Sequence, residues 1–242
     1  MSTTVFAFAF VIACAAAEIP SYIHICGRQS SNIEKCILDN IINLKSKICK
    51  GIPELDIPSN DPFILDKVAL ADTQGIKLYV RNAQIRGFCD FKINSFHADI
   101  NNLQYDIVIV FDQIRANTTY DFNLNVLIPI SHMGQLYITA DNVGAKINLQ
   151  FKLVTKDGKR FTYLSKIKIN IDIKKYNAEY GVEGEQFAQL REIIQNFVGQ
   201  NQEEIINSLK PALEEIVSRR IISITNNIVK HFTYEELFPN RT

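Results

Sequence analysis

Residues 143–174 read VGAKINLQFKLVTKDGKRFTYLSKIKINIDIK, and their alternation decides the architecture. Val143, Ala145, Ile147, Leu149, Phe151 and Leu153 take every second position, with Gly144, Lys146, Asn148, Gln150 and Lys152 between them. After Asp157-Gly158 the pattern resumes, with Phe161, Tyr163, Ile167, Ile169, Ile171 and Ile173 set against Lys166, Lys168, Asn170, Asp172 and Lys174. Successive side chains of a strand point to opposite faces, so each run has one apolar and one polar face. Two such runs joined by KDGKR predict a β-hairpin. A sheet greasy on one side and wet on the other is antiparallel and covered on one side only.

The same period reaches upstream. Tyr120, Phe122, Leu124 and Val126 alternate with Asp121, Asn123 and Asn125. Ile85, Cys89, Phe91 and Ile93 share one face, as do Ile107, Ile109 and Phe111. The strand region thus runs from about Gly75 to Tyr176. Helices must cover its apolar face, and the C-terminal part supplies them. Phe187, Leu190, Ile194 and Phe197 predict one helix, with Gly199 as its end. Ile205, Leu209, Ala212, Ile216, Arg220, Ile224, Ile228 and Phe232 keep helical spacing over a length of ~40 Å. Pro211 either kinks that helix or opens a second segment. Near the start, Ser31 and Glu34 have capping-box spacing before Ile33, Ile37, Ile41, Leu44 and Ile48, and Gly51 and Pro53 stop that helix. GIPELDIPSNDPF, with Pro53, Pro58 and Pro62, reads as extended and irregular. The fold class is α+β: a long curved antiparallel sheet wrapped around one long C-terminal helix.

MSTTVFAFAFVIACAAA, residues 1–17, reads as a secretory signal peptide with small residues at its end, which leaves residues 18–242 as one domain, extracellular and monomeric. No later segment is apolar enough to insert stably in a membrane. The 26 basic and 26 acidic residues cancel, which argues against a nucleic-acid partner and against a polybasic membrane anchor. Cys26 and Cys36, close in sequence at the start of the first helix, are expected to pair. Cys49 and Cys89 read equally as a second bridge or as buried thiols, Cys89 lying on the apolar face of a strand. Asn117-Thr118-Thr119 is a glycosylation acceptor in what reads as a polar turn.

The search for chemistry is short. His24, His97, His132 and His231 are scattered, no metal-ligand spacing occurs, and there is neither a nucleophile elbow nor a phosphate-binding loop. No metal or cofactor is expected, and an enzyme is disfavoured. Inward aromatics such as Phe91, Phe111, Phe122, Phe151 and Tyr163 either pack on the long helix or line an elongated apolar tunnel; periodicity does not choose between the two.

Three blocks carry a family likeness. IPSYIHIC followed by EKCI and GIPELDIPSNDPF, then NVLIPISHMGQLYITADNV, then NSLKPALEEIV with FTYEELFP at the end, together resemble the insect takeout/juvenile-hormone-binding family over nearly the whole chain. The resemblance implies a sheet super-rolled around a long helix, with a hydrophobic tunnel for a terpenoid or fatty-acyl ligand. It also implies a Cys26–Cys36 disulfide. The second bridge of the haemolymph hormone carriers reaches the C-terminal half, where this chain has no cysteine, so the takeout-like branch is indicated, with roles in circadian, feeding or chemosensory physiology. The expected tunnel lining is Phe91, Ile109, Phe111, Phe122, Leu124, Val126, Ile147, Leu149, Phe151, Tyr163, Ile167, Ile169, Phe197, Ile216 and Ile224, with Tyr163 or Thr139 supplying polarity. A hydrolase acting on such a lipid, or a ligand-free interaction protein, is the competing reading.

Overall fold

A computed structural model describes residues 19–72, 75–125, 129–181, 192, 196 and 199–241. The expected signal peptide, Val126 and the positions Phe187, Leu190, Ile194 and Phe197 lie outside the described residues.

Two strands form the spine. β4 (Gln104–Asn125) and β5 (Pro129–Lys156) pair antiparallel from Gln104↔Gln150 to Asn125↔Pro129 without a register shift. At ~3.3 Å per residue they would extend ~70 and ~90 Å if straight, far beyond the width of a domain this size, so the ribbon has to coil. Different strands flank its two halves. β3 (Lys92–Asp99) and β6 (Lys159–Asp172) pair with the half beyond Val143. β2 (Ile76–Arg86), followed outward by β1 (Phe63–Asp72), and β7 (Tyr176–Gly181) pair with the other half. The result is a curled antiparallel half-barrel. β1 was not foreseen: the sheet starts at Phe63, straight after the proline-rich stretch.

The inner face changes parity midway along the spine. Ile109, Phe111, Val143, Ala145 and Ile147 are buried at odd positions, whereas Thr118, Tyr120, Leu136 and Ala140 are buried at even ones. The switch falls at Asn142, which adopts φ 52° opposite Asp112, so the coil turns the ribbon over between Phe111 and Ile114. A second switch lies in β6. The register slips between Gln150 and Phe151, so that Phe151 pairs with Leu164 and Ser165 is the extra residue. Beyond it Leu164 and Thr162 are buried, at 2% and 6% exposure, and Tyr163 turns outward at 39%. The expected inward place of Tyr163 is therefore corrected by one bulged residue.

α1 (Ile33–Lys50) ends at Gly51 as expected, but Asn32 rather than Ser31 precedes it and no side chain caps it. Glu34 reaches instead to β3, where Oε1 accepts the Ala98 N–H at 2.8 Å and pairs with His97 Nδ1 at 2.7 Å. The Cys26–Cys36 disulfide fixes the chain ahead of α1. Cys89 sits in a short 3₁₀ turn (Phe88–Asp90), not on a strand, and is bridged to Cys49, tying the end of α1 to the sheet. Closing a 40-residue separation stabilises by about 4 kcal/mol in the chain-entropy model. Asn117 is exposed in the middle of β4 rather than in a turn, paired with Tyr137 and Gln84.

α2 (Gln202–Val229) runs unbroken through Pro211. After it, Phe232 plugs a second cluster with Ile23, Ile52, Leu55 and Ile57. The tail closes with α3 (Tyr234–Leu237), where Thr233 and Glu236 form a reciprocal capping box. No helix among the described residues is long and apolar enough to cross a membrane.

Candidate functional site

The site is built from the curled inner face and from the way α2 lies across it. Polar side chains fasten the helix to the edge strand β6. Glu214 accepts the Ile171 N–H at 2.9 Å, Asn226 accepts the Leu164 N–H at 2.7 Å, and Lys210 donates to Asn170 at 2.7 Å. The first two satisfy backbone N–H groups that an edge strand would otherwise present to solvent, and the third ties side chain to side chain. The C-terminal half of α2 is tied on its other flank to the proline-rich stretch. Arg220 donates to Asn60 at 2.7 Å and lies 5.5 Å over the Phe63 ring, and Lys230 meets Asp56 at 2.8 Å.

So fastened, α2 spans the half-barrel without sinking into it. No residue of its 28 is fully buried. Ile221 reaches the cluster formed by Ile109, Phe111, Ala140, Val143, Ala145 and Ile147. Around that cluster Phe91, Ile107, Leu149, Ile167, Ile169 and Ile171 are only half-buried, although they lie on the inner face. The helix and the inner face of the sheet present two apolar walls to one another, both only partly covered. Phe88 and Phe91 meet Phe111 edge-on at 5.8 and 6.3 Å and stiffen one end of the wall.

Of the expected lining residues, the structure brings Phe91, Ile109, Phe111, Ile147, Leu149, Ile167 and Ile169 together. Phe151 stands beside them, edge-on to Tyr105 at 5.4 Å. Ile216 is half-buried on α2. Ile224 packs elsewhere, against the cluster around Phe232. Phe122 is half-buried opposite His132 and Leu78 on the other half of the spine, and Leu124 follows two positions on, opposite Ile130. Neither side chain expected to lend polarity faces inward: Tyr163 is exposed, and Thr139 pairs with Arg115 and Asn177 at an outward, odd position.

A different polar group occupies the inner wall. Tyr120, 6% exposed, shares a 2.7 Å hydrogen bond between its hydroxyl and His132 Nδ1. Its ring stacks on His132 at 5.5 Å and meets Tyr180 edge-on at 5.9 Å. Gly134 directly opposite makes room, since a Cβ there would lie 2.9 Å from the Tyr120 hydroxyl and from the Gly181 carbonyl. Burial raises the pKa of Tyr120 and pushes that of Tyr180 up to about 12, so both hydroxyls stay neutral near pH 7 and remain able to hydrogen-bond. Sequence reasoning put Tyr120 on an apolar face but scattered His132 among unrelated histidines. The antiparallel register of β4 against β5, which sets Tyr120 two positions from Phe122 opposite His132, is the signal that would have joined them.

A separate open cleft of about 770 Å³ lies where Arg28 and Gln29 meet the C-terminal tail, bordered also by His97, Asp99, Leu153, Arg160 and Tyr234. It is polar, with Arg28 stacked 4.9 Å over the Tyr234 ring, and it is distinct from the apolar trough that the inner face of the curled sheet forms under α2.

A curled antiparallel sheet strapped by one long helix across its apolar inner face defines the α+β class of this chain. Residues 5–239 match the family described as haemolymph juvenile hormone binding protein, and the chain belongs to that family. A juvenile hormone-binding protein of Manduca sexta is 30% identical over 103 residues, a stretch covering 42% of this chain and 42% of that protein's length. Among solved structures, Takeout 1 of Epiphyas postvittana superposes with a TM-score of 0.72 at 16% identity, over 89% of this chain and 99% of that one, which establishes the shared fold.

Proposed function

We propose that this protein is an extracellular carrier that encloses one small hydrophobic molecule, a terpenoid or a fatty-acyl lipid, between the inner face of its sheet and α2, and returns it unaltered. The observation that carries the reading is the pair of half-buried apolar walls beneath a helix with no fully buried residue. Apolar side chains are left partly uncovered in a folded interior at a cost that a bound apolar molecule removes. Membership of a family named for juvenile hormone binding supports the same ligand class. Two disulfides fit an oxidising, extracellular compartment.

A ligand burying ~400 Å² of apolar surface gains about 10 kcal/mol gross at 25 cal/mol per Å². Lost freedom and ordering remove several of these, leaving micromolar to nanomolar affinity. Apolar burial sets how tightly the ligand binds. The Tyr120–His132 pair, a polar point in an apolar wall, sets which end of it lies where. Filling the trough tests the reading. Leu149→Trp and Ile169→Trp are expected to fold and to weaken uptake of a fluorescent fatty-acyl probe at least tenfold. Folded variants that bind the probe as the unaltered chain does would remove these two residues from the ligand's path.

A further inference from the structure

The formal charges cancel over the chain but not over its surface. Antiparallel partners share a face, and the β5–β6 register pairs Lys152 with Tyr163, Val154 with Phe161 and Lys156 with Lys159. These six residues form the outer face of the hairpin end. Farther along the same outer face come Lys146 opposite Asn170, Asn148 opposite Lys168 and Gln150 opposite Lys166. Every residue from 152 to 160 is exposed, and Val154 and Tyr163 are 46% and 39% exposed. None of the six lysines forms a salt bridge among the described residues. Lys159 does lend its charge to Glu236. Like charges placed directly opposite, as Lys156 and Lys159 are, destabilise a hairpin, and the Asp157-Gly158 turn does not require them.

We propose that the outer face and tip of this hairpin dock the protein, reversibly, on an anionic lipid bilayer. The lysines meet headgroup phosphates and carboxylates, while Tyr163 and Val154 sink into the interfacial layer. The chemistry favours a bilayer over a folded acidic partner or a nucleic acid. All six cations on this face are lysines, compact point charges suited to the smeared negative potential of a membrane. The single arginine of the tip, Arg160, turns the other way and is committed to Glu235. The exposed apolar side chains sit at a protruding end, where a flat lipid surface reaches them without a complementary pocket. The charge balance of the whole chain hides this face, because the strand period sends every second residue, and with it all six lysines, to one side.

This docking is independent of whether the trough carries a ligand, and the experiment keeps the two apart. The full disulfide-bonded chain is sedimented with phosphatidylcholine vesicles and with vesicles containing about 30% phosphatidylserine. Binding to the anionic vesicles alone, weakening as salt rises, is expected. Lys152→Gln/Lys156→Gln/Lys166→Gln, combined in one chain, loses about 100-fold in vesicle affinity, at roughly five-fold per lysine. Val154→Ser/Tyr163→Ser loses several-fold and keeps the salt dependence. Both variants retain the parent's melting temperature and its uptake of the fatty-acyl probe in solution. Equal binding to neutral vesicles, no binding to either, or an unaffected lysine variant overturns the proposal. Binding to heparin without binding to anionic vesicles also overturns it and reassigns the face to an acidic macromolecule.

Discussion

Tyr120 owes its place to a residue with no side chain. Its ring lies over Gly134, where an added Cβ would come within 2.9 Å of both the Tyr120 hydroxyl and a β7 carbonyl. The ring's edge has some freedom and the carbonyl has little. Gly134→Ala is therefore expected to destabilise the chain by about 1–3 kcal/mol, read as a lowered urea midpoint. A midpoint unchanged by this substitution would show the wall to be looser than described. Glu34 is the other residue whose partners decide its behaviour. The Ala98 N–H, and after it His97, holds its carboxyl below the ordinary value of 4.5. A depressed carboxylate stabilises the fold above its unfolded pKa, and that contribution disappears as pH falls through the folded value. The link from α1 to β3 is thus expected to weaken as pH falls below 4.5, and Glu34→Gln to flatten the acid limb of a stability–pH curve. A limb of unchanged slope in that variant would assign acid sensitivity to the other depressed carboxylates, such as Asp56, Asp99 and Glu236.

Among elements, the β5–β6 hairpin and the long helix were legible in the sequence because a strict period of two and a sustained helical spacing each admit one geometry. What was not legible is where a period breaks. The bulge at Ser165 looks like any serine in a strand, yet it moves Leu164 inward and Tyr163 outward. Leu164→Ala is accordingly expected to cost about 2–4 kcal/mol, and Tyr163→Ala within about 0.5 kcal/mol of nothing, in chemical denaturation. A reversed order would restore the unbroken alternation. The left-handed Asn142 hides the parity switch of the spine in the same way: asparagine tolerates that conformation but does not announce it. β1 escaped notice because its sequence, FILDKVALAD, does not alternate cleanly and follows three prolines. The Cys49–Cys89 bridge was undecidable from spacing, since four cysteines allow three pairings and only the fold brings these two together.

At the scale of the whole molecule, the apolar wall was readable in large part. Phe91, Ile109, Phe111, Ile147, Leu149, Ile167 and Ile169 fall where alternation sent them, because a one-sided sheet leaves them no other face. Whether such a wall is filled by its own helix is a question of depth, set by how α2 is fastened at its flanks, and no linear pattern carries that distance. Glu214, Lys210 and Asn226 hold the helix at the edge of β6 through contacts 40 to 62 residues apart in sequence, and they read in sequence as an ordinary polar face. The central claim is that the interior under α2 receives a small apolar molecule. Native mass spectrometry of the intact chain, followed by solvent extraction and identification of what is released, tests it most directly. The account predicts a mass above that of the polypeptide by one lipid or terpenoid per chain, removed by extraction and restored by adding the extract back. A chain that carries nothing, and that also takes up no fatty-acyl probe, would contradict it.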